Sequence, residues 1–364
     1  MKKTIVSIGV LFVFVLTFSG CSLPLPGRSA APSGPSVMKS IDGGKTYEPK
    51  VTISEKATIA PANILSFVFE TGNANRITIG TADNGLFATD NAGDTWTKLN
   101  FPPTKSYGLI ADRSRPERLY ASGVFNGRAK LYRSDDRGLN WDEIYTEPSN
   151  GTIITALAQD PRDASVIYIG TSAGVIVKTS DAGITWKNLK SEASPVLSFT
   201  FDASGSVFYV LFSGKNIFLS KDGGANIEPV KVKEIDTKKD ERKSSDSSVI
   251  TTLSGIVSLT VDPSQSGVVY AGTKSGLFRS TDFGSSWKEV NIIASSKKFP
   301  IRGIAIDPKD SNRIIYSSAL AVYQSTNGGL NWSTYQINAN RTAGIIRYSP
   351  MDSSVVFLGF RMYN

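Results

Sequence analysis

The sequence predicts an all-β protein: a ring of seven four-stranded antiparallel blades, closed by N- and C-terminal strands that share one blade. Three observations predict it. A short turn-forming string recurs seven times at a nearly constant step, alternating apolar runs flank each copy, and the two ends of the chain hold complementary halves of one repeat.

The string is a Ser or Thr, an Asp or Asn two residues on, a Gly after two more, and an aromatic three beyond that. Its copies begin with SIDGGKTY (Ser40–Tyr47), TDNAGDTW (Thr89–Trp96), SDDRGLNW (Ser134–Trp141) and TSDAGITW (Thr179–Trp186). They continue with SKDGGANI (Ser220–Ile227), STDFGSSW (Ser280–Trp287) and STNGGLNW (Ser325–Trp332). The acidic or amide positions are Asp42, Asn91, Asp136, Asp181, Asp222, Asp282 and Asn327, at steps of 49, 45, 45, 41, 60 and 45 residues. Period-2 runs such as GLFRS and WKEV lie on either side, so each string is read as a hairpin turn. The Asp or Asn accepts hydrogen bonds from its own loop, the Gly supplies a positive φ, and the aromatic plate covers the edge of a core. A spacing fixed in every copy is what a turn requires, so the seven residues are assigned to structure.

These strings resemble the Asp-box, or BNR, repeat of sialidases, sortilin-type receptors, xyloglucan-cleaving glycosidases and photosystem II assembly factors. The resemblance runs through all of the chain beyond residue 37 and implies a β-propeller. It implies no single activity, because those families use the same blade for different purposes.

Taken in order, residues 1–20 read as a lipoprotein signal: Met1-Lys2-Lys3, an apolar run from Ile5 to Phe18, then Ser19-Gly20 before Cys21. The run is too short for a membrane span, which needs about 20 residues. Cys21 is the only cysteine, which leaves it for lipid attachment. Residues 21–36 form a Pro/Gly/Ser tether; Ser22–Ser36 reaches ~45 Å when extended. The propeller occupies 37–364. Its unit is clearest in IRGIAID (Ile301–Asp307), a Pro-Lys-Asp turn, RIIYS (Arg313–Ser317), AVYQS (Ala321–Ser325), the box, and WSTYQI (Trp332–Ile337). The other first, innermost strands are expected in ILSFVFE (64–70), YGLIAD (107–112), IITALAQD (153–160), VLSFTFD (196–202), IVSLTVD (256–262) and GIIRYS (344–349). The N-terminal segment supplies only a third and fourth strand and the C-terminal segment only a first and second, so together they make the seventh blade. Two departures are expected: the fifth box ends in Ile227 and loses its plate, and a mixed-charge insertion, 231–248, lengthens the following step as an exposed loop.

Composition excludes several chemistries. There is no histidine, which removes Ser-His-Asp and Cys-His nucleophiles and His-bound metals. No metal, cofactor or nucleic-acid partner is expected, and the chain is read as a monomer. Without Lys2 and Lys3 there are 38 basic against 32 acidic residues, a modest net +6 that suits an anionic partner or surface. Glycosidase chemistry needs only two facing carboxyl groups. Asp112, Asp160, Asp202, Asp262 and Asp307 end first strands, but an Asp before Pro, as at 160, 262 and 307, shapes a turn. A sialidase needs several arginines around the axis, and the expected inner strands offer only Arg302 and Arg347. No catalytic residue is assigned.

The expected function is a membrane-anchored extracytoplasmic lipoprotein of the cell envelope, a non-catalytic binding or assembly platform for a protein or glycan partner. The alternative is a sialidase-like or xyloglucanase-like glycoside hydrolase acting on polysaccharide. The expected binding surface is the rim opposite the boxes, where second-to-third-strand loops and blade-to-blade crossovers collect. It holds Lys105, Tyr107, Phe125, Arg128, Lys274, Lys297, Lys298 and Arg341, with Arg302 nearby, and it suits an anionic envelope protein or polysaccharide.

Overall fold

The computed structural model describes residues 34–215, 217–231, 249–250, 253–293 and 299–363. The expected signal with Cys21, nearly all of the tether, Lys297, Lys298 and almost all of the charged insertion lie outside the described residues. No helix occurs among the described residues; seven antiparallel sheets of four or five strands and one two-stranded hairpin do.

The first strands are Ile64–Glu70, Ser106–Ala111, Ile154–Gln159, Val196–Phe201, Ile256–Val261, Gly303–Asp307 and Thr342–Tyr348, in blades one to seven. Each forms one edge of its sheet, and in blades one to four and six the strands follow outward in chain order. Blade seven is the shared one: Thr342–Tyr348 and Val356–Arg361 come from the C-terminal segment, Val37–Ser40 and Glu48–Pro49 from the N-terminal segment. Val37 pairs with Gly359 and Ser40 with Val356, which closes the ring and removes two open sheet edges.

Three details differ from the sequence reading. The second strand of blade six begins at Asp310 rather than Arg313, because Pro308 and Lys309 alone make the turn and Asp307 pairs with Asp310. Blade five gains a fifth strand, Val249–Ile250, which pairs with Trp287 and Lys288 and ends the insertion. A small hairpin, Thr52–Ser54 with Ala57–Thr58, joins blade seven to blade one.

Among the described residues, seven apolar clusters fill the seven seams between blades. Val37 and Phe357 of blade seven meet Phe67 and Trp96 of blade one, for example, and Tyr168 of blade three meets Phe208 and Phe218 of blade four. Ile227, where an aromatic was expected, is buried in that second cluster, so the fifth box keeps an apolar plug although it loses an indole donor.

Each box is held as its residues dictate. In the sixth, the Ser280 hydroxyl donates to Asp282 Oδ1 (2.8 Å) and accepts from the Gly284 N–H (2.8 Å); Asp282 then accepts from the Ser286 N–H (2.8 Å). The residue after the Asp or Asn is also left-handed, with φ between 55° and 76° at Ala92, Arg137, Ala182, Phe283, Gly43, Gly223 and Gly328. That conformation turns its N–H onto the first-to-second-strand loop of the same blade, as in Ala182 to the Ser165 carbonyl (2.9 Å) and Phe283 to the Gly267 carbonyl (3.0 Å). Box indoles stitch neighbouring blades: Trp96, Trp186 and Trp332 donate to the carbonyls of Lys50, Ile144 and Asn291 at 2.9, 3.1 and 2.8 Å.

Candidate binding channel

The free edges of the seven first strands surround a central channel. Toward the box rim it opens into a cavity of about 770 Å³ lined by Phe67, Phe69, Phe199, Phe201, Arg113 and Arg347 among others. Toward the crossover rim it narrows to about 410 Å³, lined by Leu197, Ser198, Ser258, Arg302, Gly344 and Arg347 among others. Phe199 and Arg347 line both halves. A first strand whose axis-facing edge is unpaired also presents backbone N–H and C=O groups to this space.

Its charge is one-sided. Three guanidinium groups lie along it: Arg113 at the box-rim mouth, Arg347 between the halves and Arg302 at the crossover mouth. Arg347 reaches solvent in the channel and donates to the Ile346 carbonyl at 3.0 Å. Crowding by the surrounding walls lowers its pKa from the ordinary guanidinium value, and partial burial does the same at Arg302. Both remain cations at neutral pH, since a guanidinium starts from a pKa above 12. Among the described residues the lining has one carboxylate, Glu70, which is buried and neutralised by Arg76 (3.2 Å) and Arg137 (2.9 Å). Arg137 is a box residue of blade two, so this pair also ties blade one to blade two.

The aspartates that end first strands turn away from the axis. Asp112, Asp160, Asp262 and Asp307 accept backbone N–H bonds from Ser114, Arg162, Ser264 and Lys309 at 2.8–2.9 Å. Four of the set also receive a side chain from the next blade: Gln159 on Asp112, Ser266 on Asp202, Ser311 on Asp262 and Ser353 on Asp307. They are inter-blade fasteners as well as turn formers.

The structure separates the expected binding residues. Lys105 and Lys274 are exposed on the crossover rim, Phe125 is exposed at a hairpin tip, and Tyr107 is half-buried. Arg128 is half-buried and donates to the Pro148 carbonyl at 3.0 Å. Arg302 sits just before the first strand of blade six, not within it, and stacks on Tyr363 at 3.7 Å from the ring centroid. Arg341 is a correction: it is buried, and its guanidinium donates to the carbonyls of Gly34, Ala60, Pro61 and Ala62. It latches the two ends of the ring together and is removed from the accessible rim. Sequence reasoning missed Arg113 and Tyr363. Arg113 follows the expected inner-strand Asp112, and that adjacency was a usable signal for a channel mouth.

Comparison with known proteins bears out the Asp-box resemblance. The family model for the BNR-Asp box repeat matches residues 277–290, and that for sortilin (neurotensin receptor 3) matches 129–255. An oligoxyloglucan-reducing end-specific xyloglucanase of Emericella nidulans is 29% identical over 148 residues, 37% of this chain and 18% of its own. The xyloglucanase Xgh74A of Acetivibrio thermocellus is 26% identical over 192 residues, 40% of this chain and 23% of its own. The chain thus spans about a fifth of the length of these curated relatives. Among solved structures, the GH74 xyloglucanase of Xanthomonas campestris superposes with a TM-score of 0.63 at 16% identity, covering 82% of this chain and 51% of that one. YCF48 bound to D1 peptide superposes with a TM-score of 0.61 at 14% identity, covering 86% of this chain and 98% of that one. At such identities the likeness concerns the fold.

Proposed function

We propose that the protein is a non-catalytic binding platform of the cell envelope, tethered by lipid on Cys21, whose channel receives an anionic, partly apolar segment of a protein partner. The observation that carries this reading is the channel lining: Arg113, Arg302 and Arg347 without a free carboxylate to oppose them, beside Phe199 and Phe201. Guanidinium forks hold carboxylates with directed bonds, and aromatic walls shield those bonds from water. A neighbour in fold, superposed over 98% of its own length, is YCF48 bound to D1 peptide, which agrees in kind.

The channel half of the reading is tested by Arg347→Ala and Arg113→Ala in pull-downs from detergent-solubilised envelope. Partner recovery is expected to collapse while thermal stability stays at the wild-type level; full recovery in the double variant refutes it. The tether is tested separately by Cys21→Ala, which should abolish incorporation of labelled palmitate.

The second reading, a glycoside hydrolase, is favoured by the sequence matches to xyloglucanases. Incubation with xyloglucan decides between the two. The platform reading expects no new reducing ends, and sustained release at enzyme-like rates would replace it with the hydrolase.

A further inference from the structure

The exposed large apolar side chains are not scattered. Among the described residues, those outside the box turns, Met351 apart, fall on the crossover rim: Phe125, Leu197, Ile293, Phe299, Leu320 and Met362. Three of them, Phe299, Leu320 and Met362, share one arc. The Ser318 hydroxyl in the second-to-third-strand turn of blade six donates to the Phe299 carbonyl at 2.9 Å, which places Phe299 (49% exposed) beside the turn that carries Leu320 (43%). The Ile301 N–H donates to the Thr273 carbonyl at 3.2 Å, which brings Lys274 to the same loop. Arg302 and Arg361 clamp the Tyr363 ring from 3.7 and 4.1 Å, and Met362 (60% exposed) lies between two of these residues in the chain. The described loops of this arc, 273–276, 299–302, 318–321, 337–341 and 361–363, contain no Asp or Glu. The opposite rim carries the box aspartates together with Asp163, Asp310 and Asp352.

The chain direction supplies the occupant. Val37 pairs with Gly359 at the crossover end of blade seven, and the Gly34 N–H is held by Asn340 Oδ1 at 3.0 Å. Arg341 grips the Gly34 carbonyl from the same loop. Gly34, the first described residue, therefore lies at this face. Apolar side chains ringed by Lys and Arg, beside the described residue nearest in the chain to the proposed anchor, are the pattern of interfacial membrane contact. A single acyl chain binds a bilayer marginally, and a second contact makes the attachment durable.

We infer that the crossover rim of blades five to seven is a membrane-docking face: Phe299, Leu320 and Met362 enter the interface of an anionic phospholipid bilayer, and Lys274 and Arg361 lie over its headgroups. The choice of a bilayer as occupant rests on the proposed tether. Docking turns the narrow half of the channel toward the membrane and leaves the wider, box-rim mouth open to a partner.

The test uses the chain from Ser22 onward, which contains every strand of the closed ring and lacks Cys21, so that the face is measured without the anchor. Sedimentation is read with phosphatidylcholine vesicles, with and without phosphatidylglycerol. Binding is expected to rise with phosphatidylglycerol and to fall with salt. Lys274→Glu should weaken it at least ~5-fold, the value of about one basic contact with an anionic surface. Phe299→Ser with Leu320→Ser should weaken it more than ~10-fold, since each removes a large part of an apolar side chain from the interface. Leu330→Ser, exposed on a box turn, should change nothing. Absence of binding to anionic vesicles, or equal binding by the Phe299/Leu320 variant, overturns the proposal. So does loss of an envelope protein from pull-downs in these variants when vesicle binding is intact, which would assign the rim to a protein. Palmitate labelling of Cys21 reports on the tether independently, so the failure of one reading is distinguishable from the failure of the other.

Discussion

Ser280→Ala isolates what the repeated turn contributes. The Ser280 side chain is fully buried, and its hydroxyl accepts from the Gly284 N–H at 2.8 Å and the Asp282 N–H at 3.3 Å while donating to Asp282 Oδ1. Alanine leaves the buried Gly284 N–H without an acceptor, at about 1–3 kcal/mol, and the lost bond to the carboxylate adds about 1 kcal/mol. The expected destabilisation is therefore ~2–4 kcal/mol. For a chain of this length that lowers Tm by roughly 2 °C per kcal/mol. Threonine is the control. Thr89 and Thr179 occupy the same place in their boxes and make the same bonds, to the N–H groups of Gly93 (3.0 Å) and Gly183 (2.9 Å). Ser280→Thr should stay within ~0.5 kcal/mol of wild type, the range of a neutral substitution. The assay is urea unfolding followed by tryptophan fluorescence, with midpoints compared at matched slopes; Trp287, buried in the same blade, is a local reporter. If Ser280→Ala unfolds at the wild-type midpoint, or if Thr and Ala are equally damaging, the hydroxyl does not organise the turn.

Acid should unfold the ring through its boxes. Hydrogen bonds from Thr179 and Thr185 hold the Asp181 carboxyl down at about 2, and bonds from Asn140 and Asn226 lower those of Asp136 and Asp222. A folded-state pKa below the ordinary 3.8 gives stability that is present above about pH 4 and lost as pH falls toward 2. Asp181→Asn should flatten that loss, and a denaturation midpoint that is constant from pH 5 to 2 would contradict it. Arg341→Met should lower stability by about 3 kcal/mol or more, because several charge-assisted bonds to carbonyls vanish together; Arg341→Lys should recover only part, lacking the planar fork. Calorimetry that shows no change in Arg341→Met would remove the latch. Deleting 344–364 takes two strands from the shared blade and should produce aggregates in size-exclusion chromatography, whereas a monomer with wild-type Tm would mean that the ring does not depend on closure.

The fold was legible because each blade must solve one turn problem with the same few residue types. The Asp or Asn, the hydroxyl and the Gly stand where the hydrogen bonds need them, and the complementary ends foretold that Val37–Ser40 would pair with Val356–Gly359. Arg341 was not legible. A basic residue in a crossover reads as solvated, and nothing near it in the chain announces carbonyls at Gly34 and Ala60–Ala62, about 280 positions away or more. The short turn at Pro308-Lys309 was hidden for a related reason, since the cross-strand pairing of Asp307 with Asp310 sets the start of that strand. The channel was only half legible: Arg302 and Arg347 could be placed near the axis by counting along strands and Arg113 by its place after Asp112, but the contact of Tyr363 with Arg302 is made between neighbouring blades, 61 positions apart in the chain. The division has a physical basis. What recurs in all seven boxes answers a demand made seven times, the closure of a hairpin, and so cannot distinguish one ligand from another. Discrimination has to reside in residues that break the symmetry of the ring, and here those are Arg113, Arg302 and Arg347 on the axis, with the apolar and basic arc of Phe299, Leu320 and Lys274 on one rim.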